Sequence, residues 1–186
     1  MIAYIVGRGP SLLSLTSEDF GPGPVIALNA AIHYVRTLAL PNPIWWMWKD
    51  GCLAHGQFDN DPHPHECTLP HPEPGEHFVT SWAEGRYCGL DFPDRHVIDI
   101  EREYLLPWYS LSAPVAVELA RELGVTELVI LGHDAYTTGG QNTRRWMPDG
   151  SFEDDPHAGY YLAGHQAQER AALHGIPIRW DAGVPA

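Results

Sequence analysis

The chain has 186 residues, of which 44% are apolar and 11% aromatic, and its 11 basic and 24 acidic residues give a net charge of −13 with histidine neutral. This length fits one domain, and this composition predicts a folded core rather than a disordered chain. The negative charge excludes a broad surface for nucleic acid or anionic lipid, because such surfaces need clustered Lys and Arg. Phosphate could be bound only at a confined basic site.

The first residues carry no pattern of a secretory signal, because Arg8, Gly9 and Pro10 interrupt the first apolar run. No segment approaches the roughly 20 apolar residues that a membrane span needs. The sequence therefore predicts a cytoplasmic protein with no membrane span. Both a monomer and a homo-oligomer are compatible with it.

Short apolar or β-branched runs predict strands in the first half of the chain at Ile2–Val6, Val25–Leu28, Pro43–Trp48, His77–Trp82 and His96–Ile100. A helix is expected from Ala30 to Leu40. Gly7 follows the first predicted strand, Asn29 follows the second, and Lys49 and Asp50 follow the third.

The second half alternates helices and strands more clearly. Ser112 lies where an N-cap belongs, Pro114 suits an early helical position, and Val115 to Leu123 has helical periodicity up to Gly124. The remaining predicted elements are a strand at Glu127–Leu131, a helix from about Tyr160 to His174 and a last strand at Ile176–Trp180.

This alternation predicts a single α/β domain over residues 1–186, with a mostly parallel sheet covered by helices on both faces. In such sheets ligands bind beyond the carboxyl ends of the strands, where this chain carries Arg8, Asn29, Asp50, His133 and Asp134. Two long loops, at about 50–77 and 137–157, exceed the usual length of connections, and such loops are often functional.

The run Gly7-Arg8-Gly9-Pro10-Ser11-Leu12 directly follows the first strand. Its glycines would let the backbone pass close to a ligand, and the amides that open the next helix could hold a phosphate. It is neither a dinucleotide fingerprint nor a P-loop. An ordinary turn before a helix explains it equally well.

Two later motifs carry polar groups that could do chemistry. After the strand at Glu127–Leu131, Asp134 could hold a ribose, a metal or the fold's own loop amides, and the Tyr136 hydroxyl could bond a phosphate oxygen. His165 could take a proton from an attacking hydroxyl, since the reference pKa of histidine is about 6.5, or it is a surface histidine near a helix start.

Seven of the 11 histidines fall between His33 and His96, counting both. Several of them share one proline-rich stretch with other metal-binding residue types: Cys52, His55, Asp61, His63, His65, Glu66, Cys67, His71 and His77. Zinc accepts such ligands, but the spacing fits no paired CxxC or HExxH arrangement. A solvated, proline-stiffened loop is the favoured interpretation, with a zinc site as the alternative, and no metal ligand is assigned.

Taken in order, the motifs resemble the bacterial sialyltransferases that use CMP-sialic acid, and more loosely a wider group with GxGPSL openings that includes enzymes similar to 6-hydroxymethylpterin diphosphokinase. The segments that carry the resemblance are Val6–Leu12, Leu28–Ala30, Ser112–Tyr136 and Tyr161–His165, and together they span most of the chain. The resemblance implies a Rossmann-like fold.

The resemblance also implies roles for individual residues. His165 matches the general base that deprotonates the acceptor hydroxyl, and Tyr136 matches a tyrosine that bonds the departing phosphate. The residues that would hold the nucleotide are Gly7, Arg8, Gly9, Pro10, Ser11, Asn29, Ser112, Gly132 and Asp134. The implied reaction is direct displacement at the anomeric carbon with inversion, and it requires no metal or other cofactor.

The chain departs from the family at four positions. A second phosphate-binding tyrosine is replaced by Asn142, the asparagine between the first two glycines by Arg8, and an arginine before the serine by Tyr109. The asparagine near the third strand is replaced by Lys49 or Asp50. Arg8, Arg144 and Arg145 would then be the phosphate contacts, since guanidinium pairs well with phosphate.

The sequence therefore predicts a glycosyltransferase that moves a sugar from a nucleotide-sugar donor of the CMP type to a hydroxyl acceptor. Two alternatives stay open. One is a diphosphokinase-like transferase using ATP and magnesium, with Asp50 and Asp134 holding the ion. The other is a binding protein that kept the nucleotide pocket without catalysis.

Overall fold

The structure is a computed structural model and describes residues 1–47, 73–80, 95–97, 112–154 and 159–181, with only the backbone of residues 80, 95–97, 159 and 160. Its main sheet contains seven strands in the order β5-β4-β3-β2-β1-β6-β9, and every neighbouring pair is parallel. The strands are β1 (Ile2–Val6), β2 (Val25–Leu28), β3 (Ile44–Met47), β4 (Glu76–Thr80), β5 (Arg95–Val97), β6 (Glu127–Leu131) and β9 (Ile178–Asp181).

Four α-helices lie among the described residues: α1 (Ala31–Thr37), α2 (Ser112–Glu122), α3 (Asp134–Thr137) and α4 (Gly159–Leu173). A 3-10 helix at Pro10–Ser14 follows β1, and a second one occupies Ser17–Asp19. Ser112 is the first residue of α2 rather than a cap before Val115, so this helix begins earlier than its apolar periodicity predicts.

Helices cover both faces of the sheet, as predicted. On one face α2 and α4 pack on Ala3, Ile5 and Leu128, and on the other α1 packs on Tyr4 and Val6 through its own buried residues. Buried alanines line the contact between α2 and α4: Ala113, Ala116 and Ala120 on α2, and Ala163, Ala167 and Ala171 on α4. Small side chains at this spacing let two helices lie close together and above the sheet.

The prediction of one uninterrupted loop over 137–157 is wrong in part, because it contains an antiparallel hairpin. β7 (Arg144–Trp146) pairs with β8 (Phe152–Asp154), and Gly150 takes a positive φ of 86° in the turn. The hairpin has no run of apolar residues that would predict strands. It is stabilised instead by tertiary contact, since Trp146 is buried in the core beside α1 and its amide donates to the Arg8 carbonyl at 2.6 Å.

The strand order reverses between β1 and β6. From β1 the sheet continues through β2 to β5 on one side, and β6 and β9 lie on the other. In open parallel sheets such a reversal leaves a crevice at the carboxyl ends of the two strands, where ligands bind. In this Rossmann-like fold the candidate ligand-binding crevice therefore lies at the ends of β1 and β6.

Candidate functional site

The glycine-rich segment after β1 packs tightly on the segment after β6. The Gly7 amide donates to the Leu131 carbonyl at 2.9 Å, and the Gly9 amide to the Gly132 carbonyl at 2.7 Å. A Cβ on Gly7 would lie 2.6 Å from the His133 ring, and Gly132 has a φ of +67°. The need for glycine at these positions thus arises first from the protein's own packing.

Asp134 closes the same segment. Its carboxylate accepts hydrogen bonds from the Ser11 amide at 3.2 Å and from the Ser11 hydroxyl at 2.8 Å, and a Cβ on Gly9 would collide with it. Of the three roles open for Asp134, bonding the fold's own loop amide is the one that the geometry shows. A nucleotide phosphate could bond the Ser11 amide only by displacing this carboxylate or by sharing the amide with it.

The two residues predicted to be catalytic lie side by side. Tyr136 is on α3 and His165 on α4, and their ring centroids are 5.0 Å apart with the rings nearly perpendicular. Tyr161 contacts His165 in the same way at 4.6 Å. Gly164 permits this arrangement, because a Cβ there would collide with the Tyr136 ring. His165 is exposed and Tyr136 half-buried, so both are accessible from the carboxyl edge of the sheet.

Two further aromatic residues join this site: His133, which the sequence places at a strand end, and Trp180, which no sequence pattern indicates. Trp180, on β9, lies 4.2 Å from the Tyr136 ring, and His133 contacts Trp180 edge to face at 6.1 Å. Nothing in the sequence separates Trp180 from the other tryptophans of the chain. Only the position of β9 beside β6 brings it to the carboxyl end of this sheet.

His133 is buried, with 7% of its surface exposed, and its Nε2 atom has no hydrogen-bond partner among the residues that the structure describes. Burial lowers the pKa of His133 to about 4, because the charged imidazolium would lose its hydration. The imidazole is therefore neutral at physiological pH.

The other residues predicted to bind a nucleotide border the same edge. Asn29 takes a positive φ of 53°, its amide donates to the Met47 carbonyl, and its carbonyl accepts from Trp46 Nε1 at 2.9 Å. Asparagine tolerates this conformation better than other residues with a Cβ. Ser112, 8% exposed, begins α2. Pro10 is the first residue of the 3-10 helix.

The three arginines predicted to contact phosphate lie on the glycine-rich segment and on the hairpin that packs against it. Arg8 Nη1 is 3.9 Å from Met147 Sδ, and Arg144 lies over the Phe152 ring at 4.9 Å. Arg145 forms a salt bridge with Glu153 at 2.7 Å, with both side chains about a third to a half exposed. Such an exposed pair contributes little to stability, so an anion could compete for Arg145.

No group of three histidine, cysteine, aspartate or glutamate side chains within the described ranges could hold a metal ion. The histidine-rich stretch lies outside those ranges except for His77, whose ring stacks on Trp45 at 4.3 Å. Asp50, the second magnesium ligand of the diphosphokinase alternative, also lies outside them, as do Lys49 and Tyr109.

None of the helices in the described part of the chain is long and apolar enough to cross a membrane. Comparison with protein-family models, with curated proteins and with solved structures found no match to this chain.

Proposed function

We propose that this protein is a glycosyltransferase that transfers a sugar from a nucleotide-sugar donor, most simply of the CMP type, to a hydroxyl acceptor. The observation that carries the proposal is the pairing of Tyr136 with His165 at 5.0 Å beside the reversal of strand order. These two residues are 29 positions apart on different helices, yet the fold brings an exposed imidazole and a phenol together. They lie at the edge where ligands bind parallel sheets, which supports the proposal.

In the proposed reaction His165 accepts the proton of the acceptor hydroxyl as its oxygen attacks the anomeric carbon. The bond between that carbon and the phosphate oxygen breaks, and the nucleotide leaves with the bonding electrons. The Tyr136 hydroxyl donates a hydrogen bond to the departing phosphate. The acceptor approaches opposite to the leaving group, so the configuration inverts, and no residue forms a covalent bond to the sugar.

Cations near this edge would supply the charge that a phosphate needs. Arg8 lies two residues after the end of β1, and the Trp146 amide of the hairpin that carries Arg144 and Arg145 donates to the Arg8 carbonyl. In a chain with a net charge of −13, this is a local concentration of arginine. It supports a confined phosphate site rather than a broad basic surface.

The first test is His165→Ala. We expect transfer from CMP-, UDP- and GDP-sugars to a panel of hydroxyl acceptors to fall by at least 100-fold, in the range typical of a lost general base, while nucleotide binding measured by calorimetry persists. Glu169→Ala, an exposed change on the same helix, is the matched control and should leave transfer unchanged.

Turnover that is unchanged in His165→Ala would remove the proposed mechanism. If the wild-type protein binds a nucleotide but transfers no sugar in the whole panel, the binding-protein alternative is supported instead. Activity with ATP that disappears on addition of EDTA would support the diphosphokinase alternative.

A further inference from the structure

His133 lies at the reversal of strand order, directly after β6. The edge of its ring formed by Cδ2 and Nε2 lies over Gly7 at the end of β1, so that a Cβ on Gly7 would be 2.7 Å from Nε2. On another side the ring contacts Trp180 edge to face. His133 thus occupies the crevice between the carboxyl ends of β1 and β6.

The Nε2 atom of His133 has less than 1 Å² of exposed surface and no hydrogen-bond partner within the described ranges. Nearly all buried polar groups in folded proteins are hydrogen-bonded, because an unpaired one loses its bonds to water without replacement. Packing against Gly7 and Trp180 needs only a flat ring, which a phenylalanine would supply without this cost. The histidine is therefore better explained by a partner that is absent from the free protein.

We propose that His133 is a ligand-binding residue whose Nε2 forms a hydrogen bond with the nucleoside part of a nucleotide in the crevice between β1 and β6. The inference rests on the proposed function, because it takes the nucleotide from there. Because Nε2 now lies against Gly7, this bond requires the imidazole to rotate toward the ligand when the ligand binds.

The chemistry of this imidazole favours a neutral partner. With a pKa of about 4 the ring carries no charge near neutral pH, so it offers a phosphate no ionic attraction. A neutral imidazole can donate to or accept from a ribose hydroxyl or a polar group of the base. In this proposal the arginines bind the phosphate and His133 binds the nucleoside.

The test is His133→Phe, with binding of CMP and cytidine measured by calorimetry. We expect the Kd of both ligands to rise at least tenfold and by the same factor, while the Tm of the ligand-free variant equals or exceeds that of the wild type. His33→Phe, on α1 at the opposite face of the sheet, is the control and should not change either Kd. If another nucleotide binds more tightly than CMP, the same measurement is made with that nucleotide and its nucleoside in place of CMP and cytidine.

An unchanged Kd in His133→Phe overturns the role of His133 and leaves the proposed function standing. A loss for CMP with none for cytidine also overturns it, since the partner would then be the phosphate. A wild-type protein that binds no nucleotide removes both proposals.

A second measurement needs no variant. The ¹⁵N chemical shift of His133 Nε2 in the wild-type protein should change when CMP saturates the site, because a new hydrogen bond alters the shielding of that nitrogen. A purely structural histidine would keep its shift, and this result would also overturn the proposal.

Discussion

At the scale of single residues, the glycines after β1 have a role that the sequence does not reveal. Gly7 leaves room for the His133 ring, and Gly9 leaves room for the Asp134 carboxylate. Both glycines precede a 3-10 helix whose Ser11 amide is bonded to Asp134. A motif that is typical of close approach to a phosphate here accommodates the protein's own side chains, and any ligand must fit around them.

Gly9→Ala tests this packing. Its φ of −64° suits alanine, so the expected effect comes from collision with Asp134 and the Gly132 carbonyl. We expect the free energy of unfolding to fall by about 2 kcal/mol, the usual cost of overpacking, as measured by urea denaturation.

The control for Gly9→Ala is a double-mutant cycle with Asp134→Ala. Removal of the carboxylate should relieve part of the collision, so Gly9→Ala should cost less in that background. Equal costs in both backgrounds would show that Asp134 does not constrain Gly9.

At the scale of elements, the contact between α2 and α4 determines where His165 lies. Glu118 on α2 is completely buried and bonds Arg170 on α4 and His174 just after it, as well as Arg121 on its own helix. Burial by itself would raise the pKa of Glu118, but the hydrogen bonds from His174, Arg121 and Arg170 together lower it. The carboxylate thus holds the helix whose first turns carry Tyr161 and His165.

Glu118→Gln should destabilise the fold strongly. The amide keeps the shape of the side chain but removes the charge that neutralises the partly buried Arg170. We expect a loss of about 3 kcal/mol, at the lower end of the cost of removing one member of a buried ion pair. Urea denaturation measures the loss. Glu169→Gln, exposed on α4, is the control and should change stability by less than about 0.5 kcal/mol. Equal stability of the two variants would contradict this role of Glu118.

At the scale of the whole molecule, acid should destabilise the fold in two steps. Burial lowers the pKa of His133 from 6.5 to about 4. Between these pH values His133 is therefore protonated in the unfolded chain and neutral in the folded protein. Stability from His133 is fully present above about pH 6.5 and is lost as the pH falls toward 4. Glu118, whose pKa is also lowered, contributes above its ordinary pKa and loses this contribution at still lower pH.

His133→Phe separates the first step from the second. Because the pKa of His133 is lower in the folded protein, its protonation should reduce the free energy of unfolding by about 3 kcal/mol between pH 6.5 and 4. Chemical denaturation across this range should therefore show a flatter decline for the variant than for the wild type. His33, whose pKa is lowered by partial burial and by Arg36, acts in the same direction and stays present in both proteins. Parallel curves for the two proteins would contradict the lowered pKa of His133.

Much of the architecture was predictable because it depends on local patterns. The buried apolar runs of β1, β2 and β6 coincide with the predicted strands, and α4 is displaced from its predicted bounds by one residue. The helices on both faces follow from the same alternation. The β7–β8 hairpin was not predictable, because its short strands depend on Trp146 reaching the core beside α1.

The sequence by itself determined that this chain folds as a parallel α/β domain, because strand and helix periodicities are local properties of the residues. It also indicated His165, Tyr136 and Asp134 as functional candidates, although not which groups they contact. Only the tertiary structure decided that Tyr136 meets His165, that Asp134 bonds Ser11, and that His133 and Trp180 belong to the same site. These contacts depend on the order of the strands, which brings β6 and β9 beside β1 and which local sequence does not encode.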